Sequence, residues 1–245
     1  MFVADYHIHS TFSKDAKSSI EENVQSAILK GLKEMAVTEH AYSSFNGIKK
    51  NGLDRVLNEV DRLREKYPSI KILKGIEMNL LDEKGNVDVP LAEQEKLDLI
   101  VLGFHKKCTF LKNAFSHFKM KRRTEKQIER NTDAYIKAME NNKVNILAHL
   151  YYARCFVNIK RIAEFASKNN ILIELNGKRI YFSKEDVKIM LDAGVMFVAD
   201  SDSHRAETVG DNSRAYNFAV KYGIPFERIV NWNNVAKFDA KKVKK

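Results

Sequence analysis

Leu97–His105 reads LDLIVLGFH, a run that is apolar apart from one aspartate and that ends in a histidine. Apolar residues on both faces are typical of a parallel strand covered by helices on each side, because a half-exposed strand alternates polar and apolar residues. The segments 171–176 (ILIELN) and 195–204 (VMFVADSDSH) repeat this pattern. Amphipathic helical patterns lie between such runs, and this alternation predicts a parallel α/β fold.

With this run included, the chain contains seven strand-type segments, each followed by a helix or a long connection. No linker rich in Pro, Gly or Ser divides the chain, and an eighth full strand is not evident. We therefore expect a single-domain distorted (β/α)7 barrel of the TIM type over residues 1–235, with an irregular closure. A basic C-terminal tail is expected over residues 236–245.

The composition fits an ordinary globular protein, with 44% hydrophobic and 30% charged residues in a chain of 245. The formal net charge of +10 suits an anionic substrate or nucleic acid, although clusters such as 119–123 (KMKRR) are usually solvated. There are two cysteines, no signal-peptide pattern, and no apolar run long enough to span a bilayer. These features predict a cytoplasmic protein without a membrane partner, and they leave the oligomeric state open.

Histidines and a few other polar residues lie where the predicted strands end. Six of the seven histidines lie at these ends, and His117 is the exception. In a parallel barrel the carboxyl ends of the strands form one rim, and residues i and i+2 of a strand share a face. Imidazoles and carboxylates packed together at one mouth are costly unless cations neutralise them, so the pattern predicts a polynuclear metal site. The strand-end residues, in chain order, are His7, His9, His40, Glu77, His105, His149, Asn176, Asp202 and His204.

Six short motifs at these positions resemble the PHP family, which is named for DNA polymerase and histidinol phosphatase. They read HIH, TEH, GIE, GFH, AH and DSH in this order, and the similarity extends from Asp5 to about Gly210. Length and phrases such as GIEMN are most similar to the small YcdX-type and histidinol-phosphatase-like members. The resemblance implies a distorted (β/α)7 barrel and three divalent ions, typically zinc, manganese or iron. One departure is Leu150 after His149, where relatives often have proline.

The resemblance also implies which residues hold each ion. The first ion is assigned to His7, His9, Glu77 and Asp202. Glu77 then bridges to a second ion, completed by His105 and His149. The third is assigned to His40, His204 and Asp15, and Asp15 also has the alternative of an ordinary turn residue. Asp200 is a rival to Asp202 as ligand, and Asp5 and Asp200 are expected to orient ligand imidazoles.

We expect a phosphate monoesterase in which a metal-activated hydroxide attacks phosphorus, with Glu77, Asp202 and His204 in the catalytic centre. The expected substrate is a small anionic phosphate ester, and histidinol phosphate is one candidate. Two alternatives stay open, a 3′–5′ exonuclease acting on nucleic acid and a non-catalytic module that metal stabilises. Basic residues just beyond the strand ends are predicted substrate contacts: Lys106, Lys178, Arg179 and Arg205.

Overall fold

A computed structural model of the chain describes residues 1–105 and 119–238. The predicted substrate contact Lys106, and His117 and Cys108, lie outside the described residues. The strands are β1 (Ala4–Ile8), β2 (Glu34–Val37), β3 (Lys71–Asn79), β4 (Leu99–Gly103), β5 (Ile146–Leu147), β6 (Leu172–Asn176) and β7 (Phe197–Asp200). The helices in the described parts of the chain are α1 (Ile20–Leu29), α2 (Gly52–Lys66), α3 (Leu91–Gln94), α4 (Glu125–Asn141), α5 (Ile159–Lys168), α6 (Lys184–Asp192) and α7 (Ser213–Tyr222).

The seven strands are all parallel and pair in chain order, β1 to β7. The barrel closes at the carboxyl end of β1, where His9 N donates to Ser203 O at 2.8 Å and Ser203 N donates to His7 O at 3.2 Å. This arrangement confirms the predicted single (β/α)7 barrel. The closure is irregular, as expected, because Ser203 lies beyond the end of β7.

The inner space of the barrel is divided into an apolar lower layer and a polar upper layer. Alternate strand residues such as Ala4, Leu73, Val101 and Val198 form a small apolar cluster in the lower layer. A register shift between Asp5 and Ile8 interrupts the pairing of β1 with β2. A bulge changes the direction of the side chains that follow it. Ala4 and Tyr6 of β1 therefore lie in the lower layer, whereas His7 lies beside Glu77 in the upper layer.

The lower layer is completed by Tyr6 and by the last residues that the structure describes. Tyr6 belongs to the apolar cluster, and its hydroxyl donates to Glu34 at 2.7 Å. Ala236 N donates to this hydroxyl at 2.7 Å, and Phe238 packs edge-on against the ring at 4.9 Å. The predicted division at residue 236 stays a prediction, but residues 236–238 contact the barrel.

Helix caps follow the sequence. Ser19 and Glu22 form a capping box at α1, Ser183 and Asp186 form another at α6, and Thr124 caps α4. These caps set where each helix begins on the outer face of the barrel. In the parts of the chain that the structure describes, no helix combines the length and apolarity needed to span a bilayer.

Candidate metal centre

The upper layer of the barrel brings together the polar strand-end residues. Glu77 lies at its centre, fully buried, with the imidazoles of five histidines around its two carboxylate oxygens. The shortest distances from Glu77 to each ring are 2.5 Å (His40 Nδ1), 2.8 Å (His149 Nε2), 3.1 Å (His105 Nε2), 3.4 Å (His7 Nε2) and 3.7 Å (His9 Nε2). One carboxylate therefore reaches ligand-type nitrogens of five histidines from four segments of the chain.

Asp202 and Asp15 extend the cluster toward the open side. Asp202 Oδ1 lies 3.5 Å from His9 Nε2 and 3.6 Å from His204 Nδ1. Asp15 Oδ2 lies 3.5 Å from the Nε2 atoms of both His40 and His204, and Asn46 donates to the same oxygen at 2.6 Å. The structure therefore places all nine predicted metal ligands in one continuous cluster.

Two of these residues adopt backbone conformations that L-amino acids rarely take. His149 has φ of 31° and Asp202 has φ of 51°. Strain of this kind collects at functional sites, where the surrounding structure holds the residue in place. For Asp202 the reason is local, because the chain turns directly after β7 while Ser203 closes the barrel against β1.

The close approach at the centre depends on Gly103, the last residue of β4. A Cβ atom at this position would lie 2.8 Å from His149 Cε1 and 2.9 Å from Glu77 Oε1. Any side chain there would push the imidazole and the carboxylate apart. The lack of space for a Cβ atom gives a physical reason for the glycine in the segment GFH.

Electrostatics at the centre favour ionised carboxylates surrounded by imidazoles. Burial alone would raise the pKa of Glu77, but His105, His7 and His40 hold it well below its usual range. Burial likewise opposes ionisation of Asp202, and His7, His9 and Lys178 still hold its pKa well below the ordinary value. The two carboxylates therefore remain anionic and available to cations.

The surroundings shift the pKa values of His9 and His40 in opposite directions. Burial and the neighbouring rings of His40 and His204 lower the pKa of His9 well below its usual range. Burial also disfavours the charged form of His40, but Glu77 and Asp15 raise its pKa to about 10. Without a metal ion, protons on some rings supply the positive charge that the carboxylates require.

The donor set fits divalent metal ions. Buried nitrogen and oxygen atoms without a hydrogen-bond partner in the described structure include His7 Nε2, both nitrogens of His9, Glu77 Oε2 and His149 Nδ1. Unsatisfied buried polar atoms are costly, and imidazole nitrogens mixed with carboxylate oxygens suit zinc, manganese or iron. Overlapping groups of three residues have ligand atoms within 4.8 Å of one another: His9, His40 and His204; His7, Glu77 and His149; His7, His9 and Asp202; and His40, Glu77 and His105.

Two residues that support the ligands were not identified from the sequence. Glu174 Oε1 lies 2.6 Å from His7 Nδ1, and Asn79 Oδ1 lies 2.6 Å from His105 Nδ1. Both share a face with a recognised strand-end residue, because Glu174 precedes Asn176 by two positions and Asn79 follows Glu77 by two. For Glu174 the available signal was a lone acid in the otherwise apolar run ILIEL, residues 171–175.

The role expected for Asp5 and Asp200 was wrong. Asp5 accepts hydrogen bonds from the backbone and hydroxyl of Ser201 and from Gly210 N, and Asp200 accepts from Tyr6 N. In the described structure neither carboxylate accepts a bond from an imidazole ring. Asp200 is also absent from the potential metal-binding groups, whereas Asp202 belongs to one of them.

A cavity of about 470 Å³ opens above the metal centre. Its wall includes Lys178 and Arg179, whereas Arg205 is exposed and lies outside the lining. Lys178 Nζ lies 3.0 Å from Asp202 Oδ1 and 2.8 Å from His204 Nδ1. Apart from these two basic residues and the predicted metal ligands, the described lining consists of neutral side chains: Ser44, Phe45, Asn46, Tyr152, Asn176 and Tyr181.

Comparisons with known proteins agree with this geometry. The PHP domain family model matches residues 5–178. A "probable phosphatase" of Acetivibrio thermocellus is 29% identical over 97% of this chain and 94% of its own length, and one of Clostridium botulinum is 30% identical over 94% and 90%. The solved structure of histidinol phosphate phosphatase from Lactococcus lactis, complexed with zinc, L-histidinol and phosphate, has a TM-score of 0.62 at 19% identity and covers 91% of this chain and 94% of that one. The chain belongs to the PHP domain family.

Proposed function

We propose that this chain is a metal-dependent phosphatase that hydrolyses small phosphate monoesters with the help of three divalent ions. The observation that carries the proposal is the convergence of nine imidazole and carboxylate side chains, with Glu77 at their centre, beneath a cavity with basic residues on its wall. Family membership and the names of the relatives support phosphoester hydrolysis as the kind of reaction. The nine proposed ligands are His7, His9, Asp15, His40, Glu77, His105, His149, Asp202 and His204.

The reaction is the addition of one water to phosphorus and cleavage of the bond to the leaving oxygen, which yields an alcohol and inorganic phosphate. When bound, divalent ions supply Lewis-acid stabilisation of the phosphoryl oxygens and make water acidic enough to act as hydroxide near neutral pH. Glu77 and Asp202 supply the negative charge that would bind the ions. Glu174 and Asn79 fix the orientation of His7 and His105.

The chain's own cations bind the anionic substrate. Lys178 lies at the edge of the metal centre, and Arg179 lies further out on the same wall. Lys178 is therefore assigned to the phosphoryl group as a point charge, whereas the planar guanidinium of Arg179, further from the ions, can bind an anion with two parallel hydrogen bonds. We assign the proton for the leaving oxygen to the Lys178 ammonium, which lies beside Asp202 and His204 at the edge of the metal centre.

The identity of the natural substrate needs a separate test. Histidinol phosphate is the first natural ester to test, because the structural neighbour from Lactococcus lactis is a histidinol phosphate phosphatase. The metals to test are zinc, manganese and iron. The cytoplasmic location expected from the sequence stays a prediction.

The test is phosphate release from p-nitrophenyl phosphate by protein that has been stripped of metal and reloaded separately with Zn²⁺ or Mn²⁺. We expect turnover that a chelator abolishes, and slower turnover of bis(p-nitrophenyl) phosphate. Faster cleavage of the diester would favour the nuclease alternative. No cleavage of either ester by protein that holds three ions per chain would contradict the proposal and favour the non-catalytic module.

A further inference from the structure

The charge on the cavity wall limits which leaving groups fit. Apart from the proposed metal ligands, the charged residues of the described lining are Lys178 and Arg179. The lining acids, Asp15 and Asp202, both belong to the ligand cluster. A leaving group that extends away from phosphorus therefore meets cations and neutral groups.

The stretch that follows His105 contains no acidic residue. Residues 106–118 read KKCTFLKNAFSHF, which contains three lysines and no aspartate or glutamate. These residues lie outside the described structure, but their composition cannot supply a carboxylate to any part of the cavity. A cationic leaving group, such as an amino alcohol, would find no acid on the described part of the wall other than the two proposed metal ligands Asp15 and Asp202.

An aromatic surface leads outward from the metal centre on the side of the two basic residues. The ring of Tyr152 lies 5.2 Å from that of His149, and the ring of Tyr181 lies 6.5 Å from that of Tyr152. Tyr181 lies two residues after Arg179 on the connection that follows β6. A leaving group on this surface is thus close to the backbone position that carries the guanidinium.

The two basic residues have different neighbours. The Lys178 ammonium already contacts Asp202 and His204. The side chain of Arg179 is exposed and makes no hydrogen bond or ion pair with any residue of the described ranges 1–105 and 119–238. Its donors are available to a ligand, and their planar geometry matches a carboxylate or a phosphate.

We propose that the preferred substrate is a phosphate monoester whose leaving group carries a second anionic group, a carboxylate or a phosphate, bound by Arg179 beside Tyr152 and Tyr181. This inference rests on the proposed phosphatase function. It places amino-alcohol phosphates, histidinol phosphate among them, at a disadvantage. Arg179 thereby determines specificity.

The proposed preference for a second anionic group can be tested with aryl phosphates that differ only in the para substituent. The substrates are phenyl phosphate, 4-carboxyphenyl phosphate, 4-(aminomethyl)phenyl phosphate and 1,4-phenylene bisphosphate, compared by kcat/KM with metal-loaded protein. We expect the anionic substrates to exceed phenyl phosphate by roughly tenfold and the aminomethyl ester to fall below it, since one charge-assisted contact is worth about that factor. The carboxylate and bisphosphate arms show which anion the site prefers.

The variant Arg179→Gln should bring the ratio of 4-carboxyphenyl to phenyl phosphate close to one. The matched control Arg122→Gln removes the same charge from an exposed arginine outside the cavity lining and should keep the ratio. Equal kcat/KM for all para substituents, or preference for the aminomethyl ester, would overturn the inference while phenyl phosphate turnover upholds the phosphatase function. A ratio unchanged in Arg179→Gln would also overturn it. Failure to cleave any of the four esters would overturn both.

Discussion

His7 and Glu174 form a hydrogen bond of 2.6 Å between Nδ1 and Oε1, and both side chains are fully buried. Glu174 also accepts from His149 N at 2.7 Å and from Asn176 Nδ2 at 3.0 Å. The bond to Nδ1 leaves the other ring nitrogen of His7 directed at Glu77. One carboxylate in β6 thus orients the ring of a proposed ligand from β1 and the backbone of a second proposed ligand after β5.

The variant Glu174→Gln tests this positioning role. The amide keeps the shape but loses the charge that holds the His7 ring, and loss of such a partner typically lowers metal affinity or activity by about 10- to 100-fold. We expect a fall of that size in metal affinity, measured by competition with a chromophoric chelator, and a parallel fall in kcat/KM. Glu164→Gln, on the outer helix α5, is the control. Wild-type metal affinity in Glu174→Gln would contradict the role.

Gly103 gives a second prediction, because its missing side chain leaves room for the ligands. In Gly103→Ala the new Cβ atom would meet His149 and Glu77 at less than 3.0 Å, so at least one ligand must move. A displacement of about 1 Å at a catalytic centre costs on the order of 100-fold in rate. We expect this loss in kcat, together with fewer ions per chain by elemental analysis.

A glycine variant far from the site separates this effect from general instability. Gly223→Ala is strained by φ of 69° but has no atom within 4 Å of the added Cβ. We expect it to lower the free energy of unfolding while it retains the wild-type metal content. Full metal content in Gly103→Ala would contradict the packing argument.

The sequence predicted the barrel because the apolar runs and helix caps are local features. Leu97–His105 contains β4, and all five residues of this strand are buried, as the apolar run predicted. The histidines could be grouped because parallel strands bring their carboxyl ends to one rim. The order of motifs then indicated the family, and the match to residues 5–178 confirms it.

The supporting contacts were harder to predict because they join residues distant in the chain. His7 and Glu174 are 167 positions apart, and only the three-dimensional barrel places β6 opposite the end of β1. Asp5 and Asp200 were misjudged because nearness in sequence to a ligand does not give the direction of a side chain. Asp5 accepts hydrogen bonds from Ser201 N and Gly210 N, and from no imidazole ring in the described structure.

Glu21 gives a prediction about pH and stability away from the metal centre. Its carboxylate contacts Lys66 and Tyr67 at 2.5 and 2.7 Å and Arg62 at 2.7 Å, and these hydrogen bonds lower its pKa to about 2. A depressed pKa in the folded state stabilises the protein above the ordinary value of 4.5, and this contribution is lost as the pH falls toward 2. The effect is small because solvent screens the exposed group.

We therefore expect Glu21→Gln to be less stable than the wild type at pH 7, with a difference that narrows at pH 3. The measurement is urea unfolding of both metal-free proteins at low salt. Glu65→Gln, on the neighbouring helix α2, serves as the control for removal of a surface charge. A stability difference that stays constant between the two pH values would exclude the proposed pKa shift.

Removal of metal gives the last prediction, since the clustered imidazoles and carboxylates need cations to offset their burial. A ligand present at a thousand times its Kd stabilises the folded state by about 4 kcal/mol per site. For a chain of this size we expect chelation to lower Tm by on the order of 10 °C for each tightly bound ion. His9→Ala removes a central proposed ligand, so it should lose activity and most of this chelator-dependent shift while keeping the circular dichroism of the folded barrel. A chelator-dependent shift as large in His9→Ala as in the wild type, with full metal content, would show that His9 is not a ligand.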